Sequence, residues 1–399
     1  MITFPRVLLI GGLLLAALPL RAVYAPVPEQ EQGKDLTVTV KGGISYDSNL
    51  FGAATDEVDS MIFSLSPRVA YNRSLSPQTF FAAAYSPTLD YFVDRPGDKL
   101  LDSHEAMLRL AHAFSQATTI DVTDTLLLSR NPESALPGIG TIPGAALNPD
   151  QSFTRNQFDG RVTTPVHPKV ALTLKGRSVY YKYRNDIVGR SLDRMENLYG
   201  ISADYAFLPE VKLVGEYRRQ DVFYRKFGEI KNKTSDYLMA GADYFVAKKM
   251  SLSGRLGAEW RSRDAEAATR SPYAEFSGKY DFSERSFLVG GYAYTLEETS
   301  DTLRFTDSKV HRLFTNVQHA LTALIVASGS VTYEQAVLQG RRGVADLDED
   351  TVRTGAAVSY LPNKNWTVSL SYDYDRVFSE EGPRDLKRHR VGLSGSYKF

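Results

Sequence analysis

The chain of 399 residues contains no cysteine, which excludes disulfides, thiolate metal sites and thiol catalysis together. Tryptophan is scarce, with 2 residues against 23 tyrosines. No charge of one sign predominates: 47 Lys+Arg face 47 Asp+Glu, so the basic face that nucleic-acid binding needs is missing. Beyond residue 25 no apolar run approaches the roughly 18 residues of a membrane helix. Leu321 to Ala327, seven residues broken by Thr322, is among the longest. If this chain meets a membrane, it does so without helices.

The first 25 residues read as a secretory signal peptide. Met1 to Arg6 is a short positive start, Val7 to Leu20 is an apolar core, and Ala-Val-Tyr-Ala at 22–25 fits small-residue cleavage after Ala25. Removing them takes away Arg6 and Arg21 and no acid, leaving 45 cations against 47 acids. Residues 26–35 form a polar lead-in, expected in the periplasm, and 36–399 a single β domain.

Period-two alternation runs through that domain almost from end to end. Leu36, Val38, Val40, Gly42, Ile44 and Tyr46 alternate with Thr37, Thr39, Lys41, Gly43 and Ser45, and Trp366, Val368, Leu370 and Tyr372 alternate with Thr367, Ser369, Ser371 and Asp373. Successive side chains of a strand point to opposite faces, so each segment has one apolar and one polar face. Eighteen such segments can be counted, with starts near residues 104, 155, 196, 236, 271, 310 and 351 among them. Asp124 falls on the apolar face of its segment, which suggests a bulge there.

The connections alternate between two classes. Short ones such as Leu75–Gln78, His167–Lys169 and Leu208–Glu210 take turns with longer polar ones such as 47–59, 131–154 and 341–350. That pattern predicts an all-β, up-and-down antiparallel transmembrane barrel of about 18 strands, with 16 the alternative, short periplasmic turns and long outer loops. Closure satisfies every backbone group and turns the apolar faces to outer-membrane lipid. Tyr46, Tyr71, Tyr91, Tyr280, Tyr294, Tyr360, Tyr372 and Tyr374 then belong to interfacial girdles.

Chemistry-bearing motifs are few. The six histidines show no metal-ligand spacing, no nucleophile elbow is present, and the reading carries no enzyme activity, cofactor or metal. The acidic run Asp346 to Asp350 is expected in a solvated outer loop. The polar faces place both signs of charge in the lumen: Arg177, Arg218, Arg255, Arg261 and Arg263, with Arg109, Arg161 and Lys175, opposite Asp121, Asp159, Glu259, Asp373 and Asp375. The ladder Arg255, Arg261 and Arg263 is the leading candidate for contact with anionic substrate groups, its alternative being salt bridges to Glu259 and Glu275. The loop Asn131 to Thr154, with Pro137, Gly138, Pro143 and Gly144, is expected to act as a gate inside the barrel or as a lid above it.

Two resemblances follow from the ends of the domain. Val391-x-Leu393-x-Gly395-x-Tyr397-x-Phe399 resembles the terminal strand of Gram-negative outer-membrane proteins, in which Tyr397 and Phe399 would be read by the barrel-assembly machinery. The stretch Tyr46-Asp47-Ser48-Asn49-Leu50-Phe51, following the first strand, resembles the β-barrel porins of exopolysaccharide operons, the EpsL-type proteins. That second resemblance implies export of a polysaccharide across the outer membrane, with a periplasmic polysaccharide-export protein as partner. A general diffusion porin for small solutes and a plugged structural or adhesive barrel are the alternatives. From the residues alone, Asp47 to Asn49 read as a strand exit and Leu50-Phe51 as the start of the first outer loop.

Overall fold

The computed structural model describes residues 35–399 except 116, 130–151, 247–248, 265, 300 and 302. The segment read as a signal peptide, nearly all of the lead-in, and the loop positions Pro137, Gly138, Pro143 and Gly144 lie outside the described residues.

Eighteen strands follow one another in the chain. They are β1 (Leu36–Asp47), β2 (Ser60–Ser76), β3 (Thr79–Phe92), β4 (Leu100–Ala113), β5 (Thr119–Ser129), β6 (Phe153–His167), β7 (Val170–Tyr183), β8 (Arg194–Leu208) and β9 (Val211–Tyr224). The second half comprises β10 (Lys233–Val246), β11 (Met250–Arg263), β12 (Thr269–Ser283), β13 (Ser286–Glu297), β14 (Phe305–Ala320), β15 (Ile325–Gly340), β16 (Leu347–Tyr360), β17 (Trp366–Ser379) and β18 (Leu386–Lys398). Two short helices cap outer hairpins, α1 (Asp186–Leu192) and α2 (Gly228–Lys231).

Each strand pairs antiparallel with its sequence neighbours, and β1 pairs with β18, so the sheet closes on itself. Closure leaves no free edge and lets every strand span lipid with its backbone hydrogen-bonded. The outward face is apolar: Ile44, Phe63, Leu89, Leu174, Leu256, Leu313 and Leu393 are all exposed there. A closed barrel with such a belt is an integral outer-membrane protein. Tyr46, Tyr91, Tyr280, Tyr360 and Tyr372 lie exposed on the same face.

The alternation locates the short-turn ends of the strands well and the outer ends less well. Strands expected near 104, 155, 196, 236, 271, 310 and 351 start at 100, 153, 194, 233, 269, 305 and 347. Above the bilayer both faces of a strand meet water or folded loop, so no apolar face is required and the period vanishes while pairing continues. The acidic run is corrected on the same ground. Leu347 to Asp350 are the first residues of β16, and Glu349 is buried, bonded to Arg384 and to Ser379 Oγ at 2.9 Å.

Asp124 does not mark a bulge. Its pairing with Leu108 and Phe158 is in continuous register, and Asn156 Nδ2 donates to its carboxylate at 3.1 Å. A real interruption lies elsewhere, where Pro67 and Pro87 separate the Leu65–Leu89 and Val69–Tyr85 pairs of β2 and β3. Proline has no N–H to donate to a ladder. The hydroxyls of Ser66 and Thr88, 2.9 Å apart, bridge that gap from side chain to side chain.

The seam between first and last strands is clasped by the stretch that reads as a strand exit. Asp47 and Asn49 are buried, at 1% and 0% exposure. Asp47 pairs with Arg388, whose Nε donates to it at 2.8 Å, and it also accepts from Asn49 N at 3.0 Å. Ser48 exchanges hydrogen bonds with the backbone of His389, each 2.9 Å. Asn49 Nδ2 donates to Lys387 O at 3.1 Å and to Ala53 O at 2.7 Å. Leu50 packs with Phe92 and Leu101, and Phe51 joins them, so these residues anchor the first outer loop inward. Asp47 to Asn49 thus lock the chain's first strand to its last.

Candidate functional site: the barrel lumen

Inward positions divide the lumen into unlike walls. From β16 through β18 to β1 the small inward residues Ser359, Ser369, Ser371, Ser394, Ser396, Ser45, Gly43, Gly355 and Gly392 are interrupted by Lys41, Arg353, Asp373, Asp375 and Arg390. Ser359 and Ser369 hydroxyls lie 2.9 Å apart across two strands. From β7 to β12 and on β14 long charged residues recur inward, whereas β13 turns Val289, Gly291 and Ala293 inward.

The charged wall is densest at its outer end. Asp307, with no exposed surface, holds Lys233 Nζ at 3.1 Å and also pairs with Arg261 and Arg263. Arg261 further donates to Glu259 at 2.8 Å, to Ser235 Oγ at 2.9 Å and to Leu296 O at 3.1 Å. Arg194 lies 4.3 Å from the centre of the Tyr181 ring and donates to Glu196 at 2.7 Å. Ion pairs so deeply buried hold only where every charge finds partners, because desolvating an unpaired charge is severely unfavourable.

Outer loops close over this network. Tyr224 Oη donates to Glu298 at 2.6 Å, and Lys233 pairs with the same carboxylate. Burial pushes the Glu298 carboxyl up, but Lys233, Arg261 and Arg194 outweigh it and hold it at about 2. Lys231, on α2, donates to Ser191 O at 3.0 Å, and burial, helped by Arg341, pulls its ammonium down to about 8. Beneath α1 lies an apolar cluster of Leu127, Phe153, Val179, Tyr181, Tyr183 and Leu192, and another of Phe305, Val310, Ala336, Leu338 and Leu347 fills the outer end of β14–β16. Under the loops, buried ion pairs and apolar clusters therefore lie side by side.

Two of these loops repeat one local device. In each, a residue just before the next strand, Asp193 or Asn232, accepts from the last residue of the preceding strand, Tyr183 N at 2.7 Å or Tyr224 N at 2.8 Å. Each also bonds through its backbone N–H to a glycine carbonyl, Gly189 or Gly228. A Cβ on either glycine would lie about 3 Å from that Asp or Asn side chain. The following residue, Arg194 or Lys233, then turns inward. Sequence reasoning missed this repeat, although Gly-x-x-x-Asp/Asn-Arg/Lys stands twice in the chain.

All the expected lumen residues face inward, but they do different things. Arg261 and Glu259, at 2% and 1% exposure, are wall components rather than contacts for a passing solute. Arg263 turns to Asp307 and to Thr269 Oγ1 at 3.0 Å. Arg255 lies over Gly241, where an added Cβ would meet Gly254 O at 1.9 Å, and pairs with Asp243 at 2.8 Å instead of Glu275. The salt-bridge alternative therefore describes this ladder, with Glu259, Asp307 and Asp243 as the acids. Arg218 pairs with Glu216 at 2.7 Å, Arg177 with Asp159 at 2.6 Å, and Asp375 with Arg390 at 2.8 Å. Asp373 is half-buried opposite Arg390 in register. Tyr397 and Phe399 point outward at the short-turn end, where Tyr397 contacts Trp366 at 4.9 Å between ring centres. Among the described residues no group of three His, Cys, Asp or Glu could hold a metal ion.

No protein-family model matches this sequence, and no curated protein matches it. Solved structures similar to the chain include the outer membrane protein OpdK from Pseudomonas aeruginosa, at 12% identity and a TM-score of 0.48, covering 92% of this chain and 99% of that one. OccK5 (OpdH) from the same organism has 11% identity and a TM-score of 0.49, with 92% and 98% covered. OccAB2 from Acinetobacter baumannii has 10% identity and a TM-score of 0.49, with 91% and 98% covered.

Proposed function

We propose that this outer-membrane barrel is a channel, and that its cargo is a secreted polysaccharide. The observation that carries the channel reading is the barrel itself: 18 strands closed on one another, apolar outside, polar inside. A barrel of this strand number encloses room for an aqueous path. Along one wall, serine hydroxyls and glycines offer short, weak contacts suited to sugar hydroxyls. Conduction requires many such contacts and no tight one. The polymer would slide along this wall while the charged wall opposite stays rigid. The cargo assignment rests on the Tyr46 to Phe51 resemblance, which also implies a periplasmic export protein as partner.

A general porin for small solutes uses the same lumen and is the second reading. Deletion of the gene separates the two. Loss of secreted polymer with unchanged small-solute uptake supports the export channel. Normal secretion with slowed uptake assigns the barrel to diffusion. Absence of ion conductance by the purified barrel in planar bilayers would remove the channel reading altogether.

A further inference from the structure

We infer that the lumen face of β4–β7 is a binding stripe for carboxylate groups, which makes an acidic solute or an acidic polysaccharide the preferred cargo; the inference rests on the channel reading. Arg161 on β6 stands directly opposite Lys175 on β7. Like charges directly opposed across a strand pair are destabilising, so stability gives no reason for this pairing. Lys175 is drawn aside by Glu216 at 2.8 Å, reaching diagonally across β8 over Gly200, its own register partner there, which carries no side chain. Arg161 is left behind. Its one ion-pair partner among the described residues is Asp121 at 3.7 Å. That carboxylate is already gripped by Arg109, whose Nε and Nη2 donate to its two oxygens at 2.9 and 2.7 Å.

Arg177 adds a second guanidinium next to this one. It spends its Nε on Asp159 at 2.6 Å, and the side chain remains 35% exposed. Arg161 is 36% and Arg109 44% exposed, whereas Arg261 on the charged wall is 3% exposed. The stripe thus offers guanidinium edges to the lumen, and the planar fork of arginine matches a carboxylate in a two-point contact. Exposure to water keeps each contact weak enough to release.

Equilibrium binding to the folded full-length barrel in detergent micelles tests this without requiring conductance. The probes are a tetrasaccharide of uronic acid, a neutral tetrasaccharide of the same linkages, and the uronic acid monomer. The acidic tetramer should bind more tightly than the neutral one, and the difference should collapse in about 1 M salt, where screening acts within about 3 Å. Replacing Arg161 and Arg177 together by Gln should weaken acid binding roughly tenfold, as loss of charge-assisted bonds implies. Asp121→Asn, which unmasks Arg109 and Arg161, should strengthen it about threefold, an effect no general loss of folding produces. Monomer binding as tight as that of the tetramer assigns the stripe to small carboxylates; tighter tetramer binding assigns it to a polymer. Equal binding of neutral and acidic tetramers, or no response to the Arg161 and Arg177 changes, overturns the inference. A barrel that conducts without preferring acids keeps the channel and loses this stripe, and one that binds acids without conducting does the reverse.

Discussion

The two walls of the lumen are built on opposite principles. The wall from β8 to β14 is thick with long side chains whose charges are withdrawn from water and spent on one another, as at Asp307, Arg261 and Lys233. The wall around β16, β17, β18 and β1 is thinner, with serines and glycines set between its ion pairs Asp375–Arg390 and Asp47–Arg388. A charged lumen is not by itself a substrate site. Charge that is buried and paired stiffens the barrel, and only charge left exposed, as on β4–β7, is available to a solute.

Substitutions can break this contrast. The largest effect is expected at Asp307→Asn, which leaves Lys233, Arg261 and Arg263 without their shared buried acid. Stripping a partner from a buried ion pair costs about 3–5 kcal/mol, so the urea midpoint of the refolded barrel should fall sharply. An unchanged midpoint would show that the charged wall does not stiffen the barrel. Asp47→Ala follows, at roughly 3 kcal/mol for breaking the buried pair with Arg388, and it acts at the seam. The fraction of heat-modifiable, compact barrel on unboiled gels should drop, with less effect from Asn49→Ala, which removes neutral hydrogen bonds worth about 1–3 kcal/mol when buried.

The acid dependence of the charged wall is the next step down. The Glu298 carboxyl is held at about 2, below its ordinary 4.5. Its contribution is complete above the ordinary value and is lost as pH falls through about 2, because the unfolded chain takes up the proton first. The thermal midpoint should decline across that window, and Glu298→Gln should flatten the decline. A variant with the same acid slope as the parent would place the effect in other carboxylates. The smallest effect belongs to the thin wall. Ser394→Ala should change stability by less than about 0.5 kcal/mol, and a loss comparable to that of Asp307→Asn would erase the distinction between the walls.

Much of this architecture could be read from alternation and loop lengths. The strand count, the neighbour pairing and the outward tyrosines follow from a period of two interrupted by alternating short and long connections. The outer ends could not be read in this way, because β14 and β16 continue above the bilayer, where neither water nor loop imposes an apolar face. The lumen was legible by residue type and not by role. Arg261 and Arg161 look alike in the sequence, yet the side chain of one is 3% and that of the other 36% exposed. Which arginine is neutralised depends on carboxylates one or more strands away, such as Asp307 for Arg261 and Asp121 for Arg109.

The stretch Tyr46-Asp47-Ser48-Asn49 shows where that boundary lies. Its turn-forming side chains already mark the end of a strand, since Asp and Asn bond readily to nearby backbone. Its partners Lys387, Arg388 and His389 stand some 340 positions later and become neighbours only when the sheet closes. By itself the sequence determined which residues alternate, where strands turn, and hence a barrel, because those choices depend on neighbours in the chain. The tertiary structure alone decided which charges are sealed and which face the lumen, because burial and pairing depend on neighbours in space.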